Sequence, residues 1–260
     1  MKNRHINSAR GLVILLLLAV PGFVSAQSTV SKADAAGALN KEGIRYFDAQ
    51  QYEAAIESLS RAVLLQPNYA TAYYNLGSAY FRLKNFEKAA DAFQKAVKLD
   101  PNYAEAYNNL GAVYLEQGEV EKAVNVFKES IWLKAGIGDA ISLYNLGCAY
   151  IRLGSFREAV RSLERAKQID QNNVEIRFNL GYAYSREKRF RDAITEIEKA
   201  VSLDPRDEDS QLFLGSLYLA ANAKESALMQ YARLKTLNPQ LAEKLYQAIY
   251  NGRILVVSFK

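Results

Sequence analysis

The sequence is poor in the residues that most catalytic and metal sites require. Its 260 residues include one histidine, His5, and one cysteine, Cys148. A single thiol forms no internal disulfide, so the fold has to be held by its apolar core. Half of the residues are hydrophobic, which is enough to supply such a core.

Residues 1–26 differ in composition from the rest of the chain. A basic lead of Lys2, Arg4 and Arg10 precedes an apolar run over residues 12–20, which ends at Pro21-Gly22 and is followed by Val24-Ser25-Ala26. This order is typical of a secretory signal peptide with a small-residue cleavage site before Gln27. The run is shorter than the roughly 20 residues of a membrane span, although an uncleaved anchor is the alternative. The sequence therefore predicts an exported protein, with no stable membrane insertion after cleavage.

Removal of this leader changes what the remaining chain can do. It leaves 30 basic and 28 acidic side chains, a net charge of about +2. A nearly balanced surface of this kind predicts no nucleic-acid binding. Because His5 is also removed, the mature chain has no imidazole, which excludes a Ser-His-Asp triad, a Cys-His pair and most metal sites. We expect no catalytic residue, no cofactor and no metal.

A short pattern recurs along the mature chain. Leu76-Gly77-x-x-Tyr80 returns as Leu110-Gly111-x-x-Tyr114. The glycine of the pattern occurs at Gly43, Gly77, Gly111, Gly147, Gly181 and Gly215, at intervals of 34, 34, 36, 34 and 34 residues. Around it, apolar or small residues recur every three to four positions, which is the spacing of one helical face. Each copy predicts two amphipathic helices that need a neighbour to cover their apolar sides.

Two further positions of the repeat are regular. Nine residues after each tyrosine of the pattern lies an alanine, at Ala55, Ala89, Ala123, Ala159, Ala193 and Ala227. Large residues follow at Leu59, Phe93, Phe127, Leu163, Ile197 and Tyr231. These residues and their spacing resemble the tetratricopeptide repeat family, whose 34-residue unit carries such residues at fixed offsets. The resemblance implies an all-α fold, a right-handed superhelical solenoid of antiparallel helix pairs.

The resemblance also divides the mature chain. It implies a polar lead-in at residues 27–35, six units over 36–241, and a capping helix with an apolar tail over 242–260. The first helix of each unit is expected near residues 36–49, 70–83, 104–117, 140–153, 174–187 and 208–221, with a seventh at 240–250. Proline closes units one, two, five and six. Unit three has two extra residues before Asp139, for which we favour a longer loop over a hinge.

The family's pattern places certain side chains on the inside of the superhelix. The position before the core leucine is asparagine in four successive units, at Asn75, Asn109, Asn145 and Asn179. We call these four residues the asparagine ladder. An asparagine amide both donates and accepts, so the ladder can bind the backbone of an extended peptide without selecting its sequence. Asparagine is also common at this position in the family, and an inherited pattern without a binding site is the alternative.

Neighbouring inward positions add aromatic and basic side chains to the predicted peptide-binding set. They are Tyr74, Tyr144, Phe178, Tyr182, Arg82, Arg152 and Arg186. Aromatic surfaces beside arginines suit a peptide with apolar and acidic side chains. Arginines that are merely solvated are the alternative. Cys148 lies on the same face, and we interpret it as a small packing residue.

Together these features predict a non-enzymatic scaffold that binds an extended segment of a protein partner in its concave groove. By analogy with the family, the setting is a bacterial periplasm or cell exterior, where the protein would aid the assembly of envelope or secreted complexes. The alternative function is a structural adaptor that self-associates through its end units or through the apolar tail at 253–260.

Overall fold

The computed structural model describes residues 31–134 and 139–251, which contain thirteen α-helices and no strand. All of these helices belong to the compact unit that begins at Lys32. They are α1 (Lys32–Asp48), α2 (Tyr52–Leu65), α3 (Ala70–Arg82), α4 (Phe86–Leu99), α5 (Ala104–Glu116), α6 (Val120–Leu133), α7 (Ala140–Arg152), α8 (Phe156–Ile169), α9 (Val174–Arg186), α10 (Phe190–Leu203), α11 (Glu208–Ala220), α12 (Lys224–Leu237) and α13 (Pro239–Asn251). The predicted leader, residues 135–138 of the longer loop and the predicted tail lie outside the described ranges.

The helices form six consecutive hairpins, followed by one further helix. Each odd-numbered helix packs against the even-numbered helix that follows it, and each even-numbered helix packs against the first helix of the next unit. The first helices of units two to six begin at the residues expected from the repeat, whereas α1 begins four residues before its expected start and α13 one residue before. The predicted all-α solenoid of antiparallel helix pairs is confirmed. The handedness of the superhelix stays a prediction.

A residue in the left-handed conformation ends the first helix of every unit. These residues have φ between 57° and 78°, and they are Gln50, Lys84, Gly118, Gly154, Lys188 and Asn222. In unit two, the N–H of Lys84 donates to the carbonyl of Phe81 at 2.9 Å, and the N–H of Asn85 donates to that of Tyr80 at 3.0 Å. Such bonds satisfy the last carbonyls of a helix and reverse the chain. Because four of the six residues are not glycine, glycine content alone does not reveal these turns.

The second helices end at the same point of the repeat whether or not proline follows. In unit two, which has Pro101, the N–H of Asp100 donates to the carbonyl of Ala96. In unit four, which has no such proline, the N–H of Asp170 donates to the carbonyl of Ala166 in the same way. Pro239 is the first residue of α13, a position where its missing N–H costs nothing. Proline therefore marks the unit boundaries without being needed to end the helix.

The two helices of a hairpin approach most closely at the core glycine. A Cβ added at Gly111 would lie 2.5 Å from the ring of Phe127, which is fully buried. The same contact involves Gly77 with Phe93, and Gly181 with Ile197. Glycine is thus required because the partner side chain occupies the place of its Cβ.

Unit six departs from this arrangement. The repeat predicts Tyr231 of α12 as the large residue opposite Gly215, but the side chain against Gly215 is Leu245 of α13. Tyr231 is partly buried and packs beside the last core cluster. The capping helix therefore supplies a core residue that the preceding units obtain from their own second helix.

We expect Gly111→Ala to destabilise the protein by about 1–3 kcal/mol, because the added methyl overlaps the buried ring of Phe127. Gly37→Ala is the matched control, since a Cβ at Gly37 meets no atom within 4 Å. Its higher helix propensity should raise stability by up to about 1 kcal/mol. Urea unfolding followed by far-ultraviolet circular dichroism measures both changes. Equal shifts of the midpoint in the two variants would contradict the packing role of Gly111.

Candidate functional site

Four of the predicted site residues line one cavity on the face formed by the first helices. The cavity has a volume of about 420 Å³ and lies among α1, α3 and α5 of the first three units. The predicted residues in its lining are Tyr74, Asn75, Arg82 and Asn109. The structure thus brings these four residues together at one cavity.

The floor of the cavity is aromatic. Phe93 is almost fully buried below it, and the ring of Tyr74 lies 5.8 Å from that of Phe93 and 4.9 Å from that of Tyr103. Burial, together with the nearby Tyr74, raises the pKa of Tyr103 to about 12. Tyr103, behind Tyr74, is therefore uncharged at neutral pH. The packed rings of Tyr74 and Phe93 give the cavity a rigid apolar surface.

The rim of the cavity carries one charge of each sign. The guanidinium of Arg82 lies 5.0 Å from the ring centre of Tyr52 and 5.8 Å from that of Phe47. These contacts hold the exposed Arg82 side chain over aromatic faces. Asp48, at the end of α1, also lines the cavity. The site therefore combines an apolar floor with polar groups at its edge, as peptide-binding pockets commonly do.

The asparagine ladder makes hydrogen bonds within the wall of first helices. Each amide nitrogen donates to a side chain of the preceding unit: Asn75 to Asn40 Oδ1 at 2.9 Å, Asn109 to Tyr74 Oη at 3.2 Å, Asn145 to Asn108 Oδ1 at 3.2 Å and Asn179 to Tyr144 Oη at 3.0 Å. The acceptor is always the residue immediately before the equivalent ladder position. The ladder therefore links successive units, in addition to any contact with a ligand.

Members of the ladder differ in how much of their surface remains available. Asn75, Asn109 and Asn145 are half-buried, so their second amide proton and their carbonyl oxygen stay on the accessible side. Asn179 has no exposed surface, and its amide nitrogen also contacts the sulfur of Cys148 at 3.6 Å. The first three ladder side chains thus keep accessible surface, and the fourth does not.

The wall is filled in its C-terminal half. Phe178 is fully buried and packs against Phe213, with ring centres 5.4 Å apart. Tyr182 is half-buried and lies 6.2 Å from the same ring. Phe178, like Asn179, is thus a core residue here, and we do not retain the prediction that these two contact a peptide. Tyr182, in contrast, keeps part of its surface exposed.

Tyr144 and Cys148 are held in a desolvated cluster with Asn179. Burial raises the pKa of the Cys148 thiol to about 11, and burial, with Cys148 beside it, raises the pKa of Tyr144. Both groups are protonated at neutral pH, so Cys148 is a weak nucleophile. Its surroundings are those of a packing residue.

The three predicted arginines do not form one cluster. Arg82 lies at the N-terminal cavity. Arg152 donates to the carbonyl of Leu115 at 2.8 Å, and Arg186 stacks on Phe156 at 4.5 Å and donates to Tyr182. All three are exposed. They form separate positive positions along the wall, and each contacts residues of the preceding unit.

Sequence reasoning missed several residues of the cavity. They are Ile44, Phe47 and Phe81, which contribute apolar surface. Phe47 and Phe81 occupy the same position of successive repeats, four residues after the core glycine. That position lies one helical turn beyond the inward residues of the family pattern. An aromatic residue at this repeat position is the sequence signal by which Phe47 and Phe81 could have been identified.

Residues 31–134 and 139–251 offer neither a metal-ion cluster nor a membrane span. They contain no group of three or more His, Cys, Asp or Glu side chains that could hold a metal ion. No helix within residues 31–134 and 139–251 has the length and apolarity of a membrane span.

Comparisons with known proteins agree with the helical architecture. A family model described as the cilia and flagella-associated protein 70 C-terminal domain, a tetratricopeptide repeat domain, matches residues 23–211. A search of curated proteins found no match. The structure is similar to that of YrrB, described as a TPR protein with an unusual peptide-binding site, with a TM-score of 0.65 and 25% identity over 74% of this chain and 99% of YrrB.

Two further proteins share the fold at lower identity. Pseudomonas aeruginosa PilF has a TM-score of 0.70 and 21% identity, over 84% of this chain and 98% of PilF. PilW, described as a widely conserved type IV pilus biogenesis factor, has a TM-score of 0.70 and 20% identity, over 81% of this chain and 98% of PilW. At this identity the similarity concerns the fold alone.

We expect Asn179→Ala to destabilise the protein by about 1–3 kcal/mol, because it leaves the hydroxyl of the half-buried Tyr144 without its amide donor and creates a small void. Asn145→Ala is the control, since Asn145 and its acceptor Asn108 are both half-buried and water can replace the lost bond. It should cost less than about 1 kcal/mol. Urea unfolding measures both, and a larger cost at Asn145 would contradict the assigned difference in burial.

Proposed function

Since the chain belongs to the tetratricopeptide repeat family described by the C-terminal domain of cilia and flagella-associated protein 70, we propose that it is a non-enzymatic scaffold that binds an extended peptide segment of another protein. The binding site is the cavity lined by Tyr74, Asn75, Arg82 and Asn109 in the first three units. The observation that carries this proposal is the convergence of an apolar floor and two accessible amides in one concave cavity.

The amides supply a means of holding a peptide backbone. Asn75 and Asn109 each use one amide proton within the wall and retain a donor and an acceptor. Asn145 extends the same series by one unit. One such hydrogen bond contributes only about 0.5–1.5 kcal/mol, so useful affinity needs several together with apolar contact. The repeat provides that combination along successive first helices.

The cavity and its rim indicate the chemistry of the bound segment. An aliphatic or aromatic side chain fits the floor formed by Tyr74 and Phe93. An acidic residue beside it would pair with Arg82, whose guanidinium is already oriented by Phe47 and Tyr52. Arg152 and Arg186 offer further positive positions along the groove, with Tyr144 and Tyr182 beside them. The similarity to YrrB, a protein described as having a peptide-binding site, supports this proposal by analogy.

A bulky side chain placed in the cavity tests whether peptides bind there. Ala112→Trp should weaken peptide binding at least about tenfold, because the indole occupies the cavity without removing any hydrogen bond of the wall. Ser216→Trp, at the same position of unit six, is the matched control and should have little effect. The probes are peptides selected on the wild-type protein from a random display library, and fluorescence anisotropy measures their affinity.

Two results would count against the proposal. If peptides bind Ala112→Trp as tightly as wild type, the groove function is wrong. Equal weakening by Ser216→Trp would contradict the assignment to the first three units. Circular dichroism of both variants verifies that the helices are retained.

We further propose that the protein is exported and aids the assembly of envelope or secreted complexes in a bacterial periplasm or cell exterior. The leader at residues 1–26 supports export. Fold similarity to PilW, a protein described as a pilus biogenesis factor, is compatible with a role in assembly. A self-associating adaptor is the alternative function, and the exposed Tyr246 and Tyr250 of α13 are the surface that favours it.

Export predicts a specific mature terminus. When the full chain is produced in a bacterium with a secretory pathway, mass spectrometry of the protein should find Gln27 as its first residue. Ala26→Trp should block processing, because the cleavage site requires a small residue there. A full-length product in the cytoplasmic fraction, with and without this substitution, would contradict the proposal.

A further inference from the structure

A second cavity lies on the side of the array formed by the second helices, where unit three meets unit four. It has a volume of about 330 Å³, is lined by residues of α6, α7 and α8, and shares none of them with the cavity of the first three units. Ile131, Leu146 and Ser162 are each 6% exposed and form its buried part. The Ser162 hydroxyl donates to the backbone carbonyl of Glu158 at 3.0 Å, so the base of the cavity is mainly apolar.

Trp132, which also lines this cavity, is 70% exposed. The equivalent position holds the exposed Leu64 in unit one and an exposed polar residue in units two, four, five and six. Those polar residues are Lys98, Gln168, Ser202 and Thr236. The position therefore belongs to the solvent side of the second helix, and the core does not require an indole there. Since tryptophan is enriched among the residues that anchor protein interfaces, its exposure beside a cavity indicates a partner.

Basic side chains surround this apolar surface. Lys128, Arg161 and Arg165 line the cavity and are exposed, whereas Glu158 is the one acidic residue in the lining. Three basic side chains and one acidic side chain give the cavity a net charge of +2. Within residues 31–134 and 139–251, neither Lys128 nor Arg161 forms an ion pair. Both charges are therefore available to a ligand.

The basic character of α8 is a departure from the repeat. Arg157, Arg161 and Arg165 are spaced four residues apart and so lie on one face of the helix. At the first two of these positions, units one to three carry Glu53 and Glu57, Glu87 and Asp91, and Glu121 and Asn125. Like charges at this spacing destabilise a helix. The arginine stripe is thus a local cost to α8 that an acidic partner would offset.

Lys128 also differs from its equivalents. Units four and five have glutamate at this position, and the hydroxyl of the next unit's tyrosine donates to it: Tyr218 donates to Glu198 at 2.6 Å, and the preceding interface has the same bond to Glu164. The ammonium of Lys128 instead lies 5.9 Å from the ring centre of Tyr150, where cation–π attraction is weak. The interface of units three and four therefore has a positive charge where the next two interfaces have a negative one.

We propose that this surface binds an acidic segment of a partner protein, with an aliphatic side chain of the segment in the cavity. Ile131, Leu146 and the indole of Trp132 would contact the aliphatic side chain. Carboxylates on either side of it would face Lys128, Arg161 and Arg165. These cations are exposed and attract negative charge over several ångströms, so recognition by charge does not require them to converge on one atom.

The cavity itself favours a protein segment over an anionic membrane. A side chain can enter a recess with an apolar base, whereas attraction to lipid headgroups needs only positive charge at the surface. Glu158 opposes an acidic ligand from within the lining. Glu158→Gln should therefore strengthen binding of the segment.

Trp132 provides a probe that is specific for this surface, because it is the only tryptophan of the chain. The test uses the full chain and a blocked pentapeptide in which one leucine lies between two pairs of aspartates. Binding should shift the fluorescence emission of Trp132 to shorter wavelength as the indole becomes covered. The same peptide with asparagine in place of every aspartate should bind at least about tenfold more weakly, since several charge contacts are lost together.

Arg165→Glu is the decisive variant, because it reverses one charge of the surface. It should weaken binding of the aspartate peptide at least about fivefold at low ionic strength. Arg61→Glu is the matched control, since it makes the same substitution at the same repeat position of unit one, and it should leave binding unchanged. Both arginines are exposed, and circular dichroism verifies that both variants are folded. Arg161→Glu should weaken binding in the same way as Arg165→Glu.

Four results would overturn the proposal. They are an unchanged emission of Trp132 on addition of the aspartate peptide, equal binding of the asparagine peptide, wild-type binding by Arg165→Glu, and equal weakening by Arg61→Glu. Vesicles of phosphatidylglycerol are tested in parallel. A shift of the Trp132 emission with these vesicles and not with the peptide would identify a membrane-binding surface instead, and would also overturn the proposal.

Discussion

The close approach of two helices at one glycine is the constraint on which the array depends. At Gly77, Gly111 and Gly181 the neighbouring side chain lies where a Cβ would be. In the first five units this brings the first helix against its second helix and turns the face bearing the inward positions away from the hairpin partner. Because the contact recurs at nearly constant intervals, the inward faces line up as one wall. A continuous wall of first helices then follows from packing within units, before any ligand is considered.

Side-chain size along the wall determines where that groove is open. The position after the core glycine is Ser78 and Ala112 in units two and three, and the cavity of about 420 Å³ lies there. In unit five the same position is Tyr182, and Phe178 beside it is fully buried. Small residues thus leave room in units two and three, whereas aromatic rings fill the wall in unit five. The asparagine ladder follows the same gradient, from half-buried Asn75 to fully buried Asn179.

Much of the fold is predictable from the sequence, because periodicity is a local property. The interval of 34 residues and the helical spacing of apolar positions placed the starts of α3, α5, α7, α9 and α11. The direction in which Asn75 or Tyr74 points follows from the same offsets. How deeply each side chain is buried does not follow from the offsets, because burial depends on contacts between units that the offsets do not specify. Asn179 is buried because it contacts Tyr144 and Cys148 of the preceding unit. Leu245 lies against Gly215, where the repeat predicts Tyr231, because α13 packs against the core of unit six.

Because the interfaces between successive units are nearly identical, each interface can be compared with the next one. A polar group that is satisfied in one interface shows which partner the equivalent group in the next interface requires. Glu196 has Lys167 and Arg177, whereas Gln230 at the same position has a cavity. The exchange of Lys167 for Val201 removes a charge that would otherwise be buried, so the interface no longer bears the desolvation cost of an internal ion pair.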